Sequence, residues 1–269
     1  MTKIFPVPAG RILVPVDLTR VSADAWKWAR ALAAPDANFE ALYVRQSPPA
    51  PVFGLPAPPL SRTARLALES RLRGAYAGAR AVVEEGDPAF VIVRASRHAD
   101  LVVMGTHGRT GLDRAILGSV SEAVARDSSA PTLVVRGALR RVKTVLAPTN
   151  MTDYSCKGLR LAAAAAAFLG AELVVLNVAD DGKRAPKLDF FIEEFLQGLP
   201  VEWRRAARPR LVRRAGNPVE QILREARRHG LVVLTAHRKP LLSELVLGTT
   251  VERVLRRSPV PVLSAPSAG

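Results

Sequence analysis

The chain has 269 residues, a single cysteine and a formal net charge of +15. That length accommodates two domains of ordinary size, each with its own core. The lone Cys156 excludes an intramolecular disulfide and a cysteine metal framework. The longest apolar-looking run, 161–169, is mostly alanine and too short to span a bilayer. The opening MTKIFPVPAG lacks the long apolar core of a secretory signal, so a cytoplasmic protein with no membrane partner is expected. The charge excess is +5 over residues 1–138 and +10 over 139–269, concentrated in the arginine-rich stretches 204–214 and 224–228. Such a field attracts polyanions. An aromatic content of 5% and the lack of a recognised DNA- or RNA-binding motif weigh against nucleic acid.

In chain order, Ile12–Thr19 (ILVPVDLT) is an apolar run closing on a polar turn, the signature of a buried strand. Trp28–Leu32 has helical spacing, and Glu40–Val44 reads as a second strand. Gln46–Leu60 holds six prolines and is expected to form an extended surface loop. Gly86-Asp87-Pro88 precedes an apolar helix, with proline suited to a first helical turn. Val102–Glu122 runs from a strand through a loop into a helix, and Pro131–Val135 is a last short strand.

The same series then starts again. Val145–Thr152 matches Ile12–Thr19, Glu172–Val178 matches the second strand, and Gly216-Asn217-Pro218 matches the glycine-led turn. Val232–Glu252 aligns without a gap on Val102–Glu122, pairing His107 with His237, Gly118 with Gly248 and Glu122 with Glu252. Val260–Ser264 closes the second copy. A repeat at this spacing means two copies of one domain, with the boundary expected near Gly137–Arg141, giving domains 1–138 and 139–269. Each copy reads β-α-β-α-β-α-β-α-β, an α/β domain with a parallel sheet covered by helices on both faces.

The first copy carries Gly105-x2-Gly108-x9-Gly118-Ser119. Gly105 ends a strand where a missing side chain would let a ligand lie against the backbone. Gly108 permits a tight turn whose amides can face an anion. Gly118 and Ser119 open a helix, where free amides and the positive dipole end favour phosphate. Ser119 or Ser121 would add a hydroxyl donor, and Arg109 a mobile positive charge.

With ILVPVD, the Gly-Asp-Pro turn and MGTHGRTGLDRAILGSVSEAVARDSSAPTLVVR, nearly the whole chain resembles a tandem member of the universal stress protein family. The resemblance implies an open five-stranded parallel sheet of order 3-2-1-4-5 in each domain, with a crevice where the order reverses, flanked by Asp17 and Gly105. The family's ATP-binding branch carries the glycine pattern of the first domain. Carried over, Asp17 and Val44 would contact adenine and ribose, with Pro15 lining the pocket. Met104, Gly105, Gly108 and Arg109 would surround the phosphates or ribose. Gly118, Ser119, Val120 and Ser121 would hold the phosphates, and His107 would either touch a phosphate or serve structure, as its surviving partner His237 indicates. ATP, with or without magnesium, is therefore the expected ligand.

The second copy departs from the pattern. Thr235, Arg238 and Leu241 replace Gly105, Gly108 and Gly111, and Asn150 replaces Asp17. The side chains of Thr235 and Arg238 are expected to crowd the phosphates, and Pro240 removes an amide. A degenerate site is the expectation there. Family domains pair through their last strands, so the tandem chain is expected to form an internal pseudo-dimer with Pro131–Val135 beside Val260–Ser264, a further homodimer remaining open. There is no Walker lysine and no paired carboxylates near the loop, which favours a nucleotide-dependent stress-response module with at most weak ATP hydrolysis. A slow ATPase or phosphotransfer enzyme, and a ligand-free scaffold binding an acidic protein partner through the basic second domain, are the alternatives.

Overall fold

A computed structural model describes residues 8–46, 58–106, 117–179, 186–235 and 250–266. The first half contributes β1 (Ala9–Pro15), α1 (Arg20–Ala31), β2 (Ala33–Arg45), α2 (Arg62–Ala75), β3 (Ala79–Glu85), α3 (Pro88–Ala95), β4 (Leu101–Gly105), α4 (Ser119–Asp127) and β5 (Thr132–Val135). The second half repeats the series with β6 (Thr144–Pro148), α5 (Asp153–Leu169), β7 (Glu172–Ala179), α6 (Pro186–Gln197), α7 (Val201–Ala207), β8 (Arg210–Ala215), α8 (Pro218–Ala226), β9 (Leu231–Thr235), α9 (Thr250–Arg257) and β10 (Val262–Ala265). Two helices, α6 and α7, stand where the first half has α2 alone. Among the described residues no helix is long and apolar enough to cross a membrane.

The ten strands among the described residues form one sheet, in the order β3-β2-β1-β4-β5-β10-β9-β6-β7-β8. Within each half the pairing is parallel and the order is 3-2-1-4-5, as expected. The halves meet where β5 and β10 run antiparallel, Val134 opposite Val262 and Thr132 opposite Ser264. The register also settles how the two second strands correspond. Val16 donates its amide to the Leu42 carbonyl and Thr149 to the Leu176 carbonyl, which sets Val44 level with Val178.

The helix starts follow from local chemistry repeated in both halves. Thr19 caps α1 and Thr152 caps α5, each accepting from an amide three residues on. Asp87 and Asn217 cap α3 and α8, with proline in the first turn. The glycines before them, Gly86 and Gly216, have φ of 143° and 105°, a region that side chains disfavour.

One hydrophobic layer runs unbroken under α1 and α5, from Ile12, Trp28 and Tyr76 in the first half to Leu159, Leu173 and Leu231 in the second. The opposite face has a first-half core around Leu13, Leu42 and Met104. A second core there, around Val219, Ile222 and Leu255, takes in Leu117, Ala125 and Val134 of the first half. Alanines 162–166 of α5 are all buried, and their small side chains let that helix lie close on the sheet. The first half seats α1 differently. A β-carbon added to Gly105, at the end of β4, would lie 2.2 Å from Cγ1 of Val21 on α1. In the second half the small residue has moved to the helix: a β-carbon on Gly158 of α5 would lie 2.4 Å from Oγ1 of Thr235 on β9.

Two predictions follow from this packing. Val21 is β-branched and stiff in a helix, so Gly105→Ala should cost about 1–3 kcal/mol, and Val21→Ala in the same chain should recover most of it, as read from denaturant unfolding midpoints. The second concerns His229, which is buried with Nδ1 2.9 Å from the Thr144 hydroxyl and Nε2 3.9 Å from Glu225. Burial lowers its pKa, Glu225 opposes that, and Arg210 and Arg228 reinforce it. The unfolded chain therefore takes up this proton first, and stability falls as the pH drops below about 6.5. In His229→Gln the thermal midpoint should lose part of its pH dependence in that window.

Candidate functional site

The crevice at the order reversal is built on two strand ends, β1 and β4, which lie side by side with Ile12 opposite Leu101. Beyond β1 the chain turns sharply through Leu18, whose φ is 64°, and Met151 adopts 58° at the same place in the second half. A non-glycine residue in that region is strained and is held there by its surroundings. Asp17 supplies part of the hold. Its Oδ1 accepts from the Thr19 amide at 3.1 Å and the Thr19 hydroxyl at 2.6 Å, and also from the Ser22 hydroxyl. The Asp17 amide in turn donates to Ser22 Oγ at 3.0 Å. The other carboxylate oxygen, Oδ2, is buried with no hydrogen-bond partner among the described residues. A buried, unsatisfied carboxylate oxygen is costly, and this one fits a ligand donor such as an amino or hydroxyl group. Behind the turn lies the buried Tyr76. Burial pushes its hydroxyl pKa up, contact with Ser22 lowers it, and the Asp17 charge raises it further.

The start of α4 forms the other wall. Thr19, Ser61, Asp87, Thr152 and Asn217 cap their helices with side chains, whereas α4 opens at Gly118 with no side-chain cap. Its first amides, on Ser119, Val120 and Ser121, are thus without intrahelical partners. Gly118 donates its amide to the Thr106 carbonyl at 2.7 Å. The Ser121 hydroxyl donates to the Gly105 carbonyl at 2.8 Å, so the helix start is pinned to the end of β4. Of the two serines considered as hydroxyl donors, Ser121 is buried and used internally, while Ser119 is exposed and has no partner among the described residues.

Pro15 is buried at the end of β1, Met104 is buried on β4, and Val44 and Val120 pack partly buried against the same core. His107, Gly108 and Arg109, together with Arg238, Pro240, Leu241, Gly248 and Thr249, lie outside the described residues. At Gly105 the reason for glycine differs from the one expected: the space a side chain would fill is taken by Val21. Ser22, Tyr76 and Thr106 complete the surroundings and were not singled out from sequence, although Ser22 and Ser155 recur at one position of the repeat.

The second half keeps the turn and loses the charge. Asn150 Oδ1 accepts from the Thr152 amide and hydroxyl at 3.3 and 2.9 Å. Ser155 turns away to the Thr149 hydroxyl at 3.0 Å, and the buried Asn177 donates to the Thr149 carbonyl at 3.1 Å. The expected clash of Thr235 with phosphates is corrected by the packing, because the Thr235 side chain is directed onto α5 at Gly158. A cavity of about 420 Å³ opens beside this turn, between Met151, Phe191, Glu194 and Phe195. A larger one, about 590 Å³, lies in the first half away from the crevice, beside Arg11–Leu13 of β1 and Phe39 and Glu40 of β2, with Arg11, Arg80 and Arg94 in its wall. These arginines are tied to Asp100, Glu40 and Glu84 respectively. Among the described residues no three His, Cys, Asp or Glu side chains converge on a metal-sized site.

The universal stress protein family model matches the chain twice, over residues 9–136 and 141–266. A universal stress protein of Methanocaldococcus jannaschii is 36% identical over 140 residues, 47% of this chain and 81% of that protein. One from Mycobacterium tuberculosis is 26% identical over 194 residues, 66% of this chain and 65% of its own length. Among solved structures, a universal stress protein from Archaeoglobus fulgidus DSM 4304 superposes with a TM-score of 0.71 at 21% identity, covering 98% of both chains. Two family matches in series, on the two halves of one sheet, identify this chain as a member of the universal stress protein family with two such domains.

Proposed function

We propose that the first domain, residues 1–138, binds an adenine nucleotide, ATP, and that the chain is a cytoplasmic regulatory module rather than an enzyme. The observation that carries this reading is the pairing, at one crevice, of an unsatisfied carboxylate oxygen on Asp17 with an uncapped helix start at Gly118. The carboxylate suits the amino or hydroxyl groups of a nucleoside, and the free amides suit phosphates. Asp17, Val44 and Pro15 take the adenosine side. Met104 and Gly105, with His107, Gly108 and Arg109 assigned from the family resemblance alone, take the phosphates or ribose, and the helix start that opens at Gly118 takes the phosphates through the amides of Ser119, Val120 and Ser121. Any magnesium would travel with the phosphates. The second domain, residues 139–269, has a neutral Asn150 where the first has Asp17 and is assigned no nucleotide. Binding state, not turnover, is the output that a protein partner would read.

The expected result in calorimetric titration is micromolar binding of Mg-ATP at about one site per chain, in protein unfolded and refolded to strip bound ligand. Gly118→Val should abolish it and Gly248→Val should leave it intact. Asp17→Ala should weaken it about 10- to 100-fold, the range for losing a hydrogen bond to a charged group. Equal loss in the Gly118 and Gly248 variants would refute the one-site reading, and no binding in the unaltered chain would refute nucleotide binding itself.

A further inference from the structure

The uncapped end of α4 carries an acidic residue that an anion site would not want. Glu122 is the fourth residue of the helix, about 4.5 Å along the axis from Ser119. Its side chain is 16% exposed. A carboxylate there is close enough to oppose phosphates held by the first-turn amides. It is met by Arg256 of the second domain. Arg256 Nε lies 3.2 and 3.0 Å from the two Glu122 oxygens, and its Nη2 donates to Oε1 at 2.6 Å. This is a forked guanidinium–carboxylate contact, a strong and orientation-specific one.

The arginine is held in place by the first domain. Arg136, just past β5, donates through Nη2 to the carbonyls of Leu255 and Arg256 at 2.6 and 2.9 Å, satisfying the last turn of α9. Ser264 of β10 donates to the Ala125 carbonyl of α4 at 3.2 Å. The repeat supplies the mirror pair, Arg126 and Glu252, yet it is used differently. Arg126 Nη2 pairs with its neighbour Asp127 at 3.0 Å, with Glu252 acting on it only as a more distant charge. The forked contact therefore runs from the second domain to the anion end of the first.

We infer that Arg256 is a positioning residue for the first domain's phosphate site, neutralising Glu122 so that the start of α4 can accept a polyphosphate. The inference rests on the nucleotide reading above. It gives the second domain a task that needs no ligand of its own. It also couples the site to the interface: whatever the Arg256–Glu122 contact adds to phosphate affinity, bound phosphate returns to the contact between α4 and α9. The base and ribose of the nucleotide carry no net charge, so the effect falls on the phosphates alone.

The test is calorimetric titration of the full chain with ATP and, separately, with adenosine, at low salt. Arg256→Ala should weaken ATP about three- to tenfold and leave adenosine unchanged. Adding Glu122→Gln to that variant should restore ATP affinity, and Arg256→Lys should retain most of it. Unaltered ATP affinity in Arg256→Ala overturns the inference and leaves the nucleotide reading standing. Parallel loss of ATP and adenosine, or no rescue by Glu122→Gln, also overturns it by showing a merely structural arginine. An unaltered chain that binds neither ligand overturns both readings together.

Discussion

Three residue pairs, Val134–Val262, Leu133–Leu263 and Thr132–Ser264, join the two halves of this chain into one sheet. Much else depends on that short antiparallel ladder. Each half ends its own parallel sheet with an exposed edge, and an unpaired edge is a template for association. Pairing β5 with β10 removes one edge from each half and leaves β3 and β8 outermost. Because the pairing is antiparallel, it brings α4 and α9 together on one face, and the core around Val254 and Leu255 then includes Ala125 and Val134. The remaining β8 edge bears Arg210, Arg213 and Arg214, a charge pattern that discourages further strand addition. Part of the second domain's positive charge is thereby explained without any ligand.

The repeat makes the two halves a controlled comparison of one backbone with different side chains. Both keep a strained left-handed residue after the first strand, at Leu18 and Met151, and both keep a threonine cap after it. The turn is thus a property of the fold. The carboxylate within it is not, since Asn150 makes the same two hydrogen bonds to Thr152 that Asp17 makes to Thr19. An amide serves the turn as well as an acid does. The charge on Asp17 and its buried, unpaired Oδ2 exceed what local structure requires, and that excess is the physical basis for assigning a ligand to the first half.

Much of the fold was readable from the residues. Apolar runs with β-branched residues, the Gly-Asp-Pro and Gly-Asn-Pro turns and the internal repeat were enough for the element order of the first half and for all of the second but the division of one helix into α6 and α7, and the family resemblance supplied the strand order. The site was readable in part. Gly118 was legible as a helix start from the glycine spacing, and Asp17 only through the family resemblance. The meaning of Gly105 was not legible, since it depends on Val21, 84 positions away in sequence and 2.2 Å from a would-be side chain. The same holds for Thr235, whose compensating glycine sits on α5. Ser121 was read as a ligand donor and is committed to the Gly105 carbonyl. In each case the deciding neighbour comes from another element, and spacing along the chain carries no trace of it.

A second domain with Asn150, Thr235, Arg238 and Leu241 in place of Asp17, Gly105, Gly108 and Gly111 poses a question of why the chain keeps it. Packing gives part of the answer: without β10 and α9, the first domain would expose β5, Ala125 and an unpaired Glu122. Electrostatics gives the rest. A helix start that binds anions gains from an acid in its own first turns only when nothing anionic is bound, because both compete for the same dipole end. With Arg256 seated on it, Glu122 is no longer a competitor but the anchor of the neighbouring helix. A chain with both domains in one polypeptide can let the halves diverge, one toward ligand and the other toward the groups that tune it. Two identical subunits would have to carry both sets of residues at once.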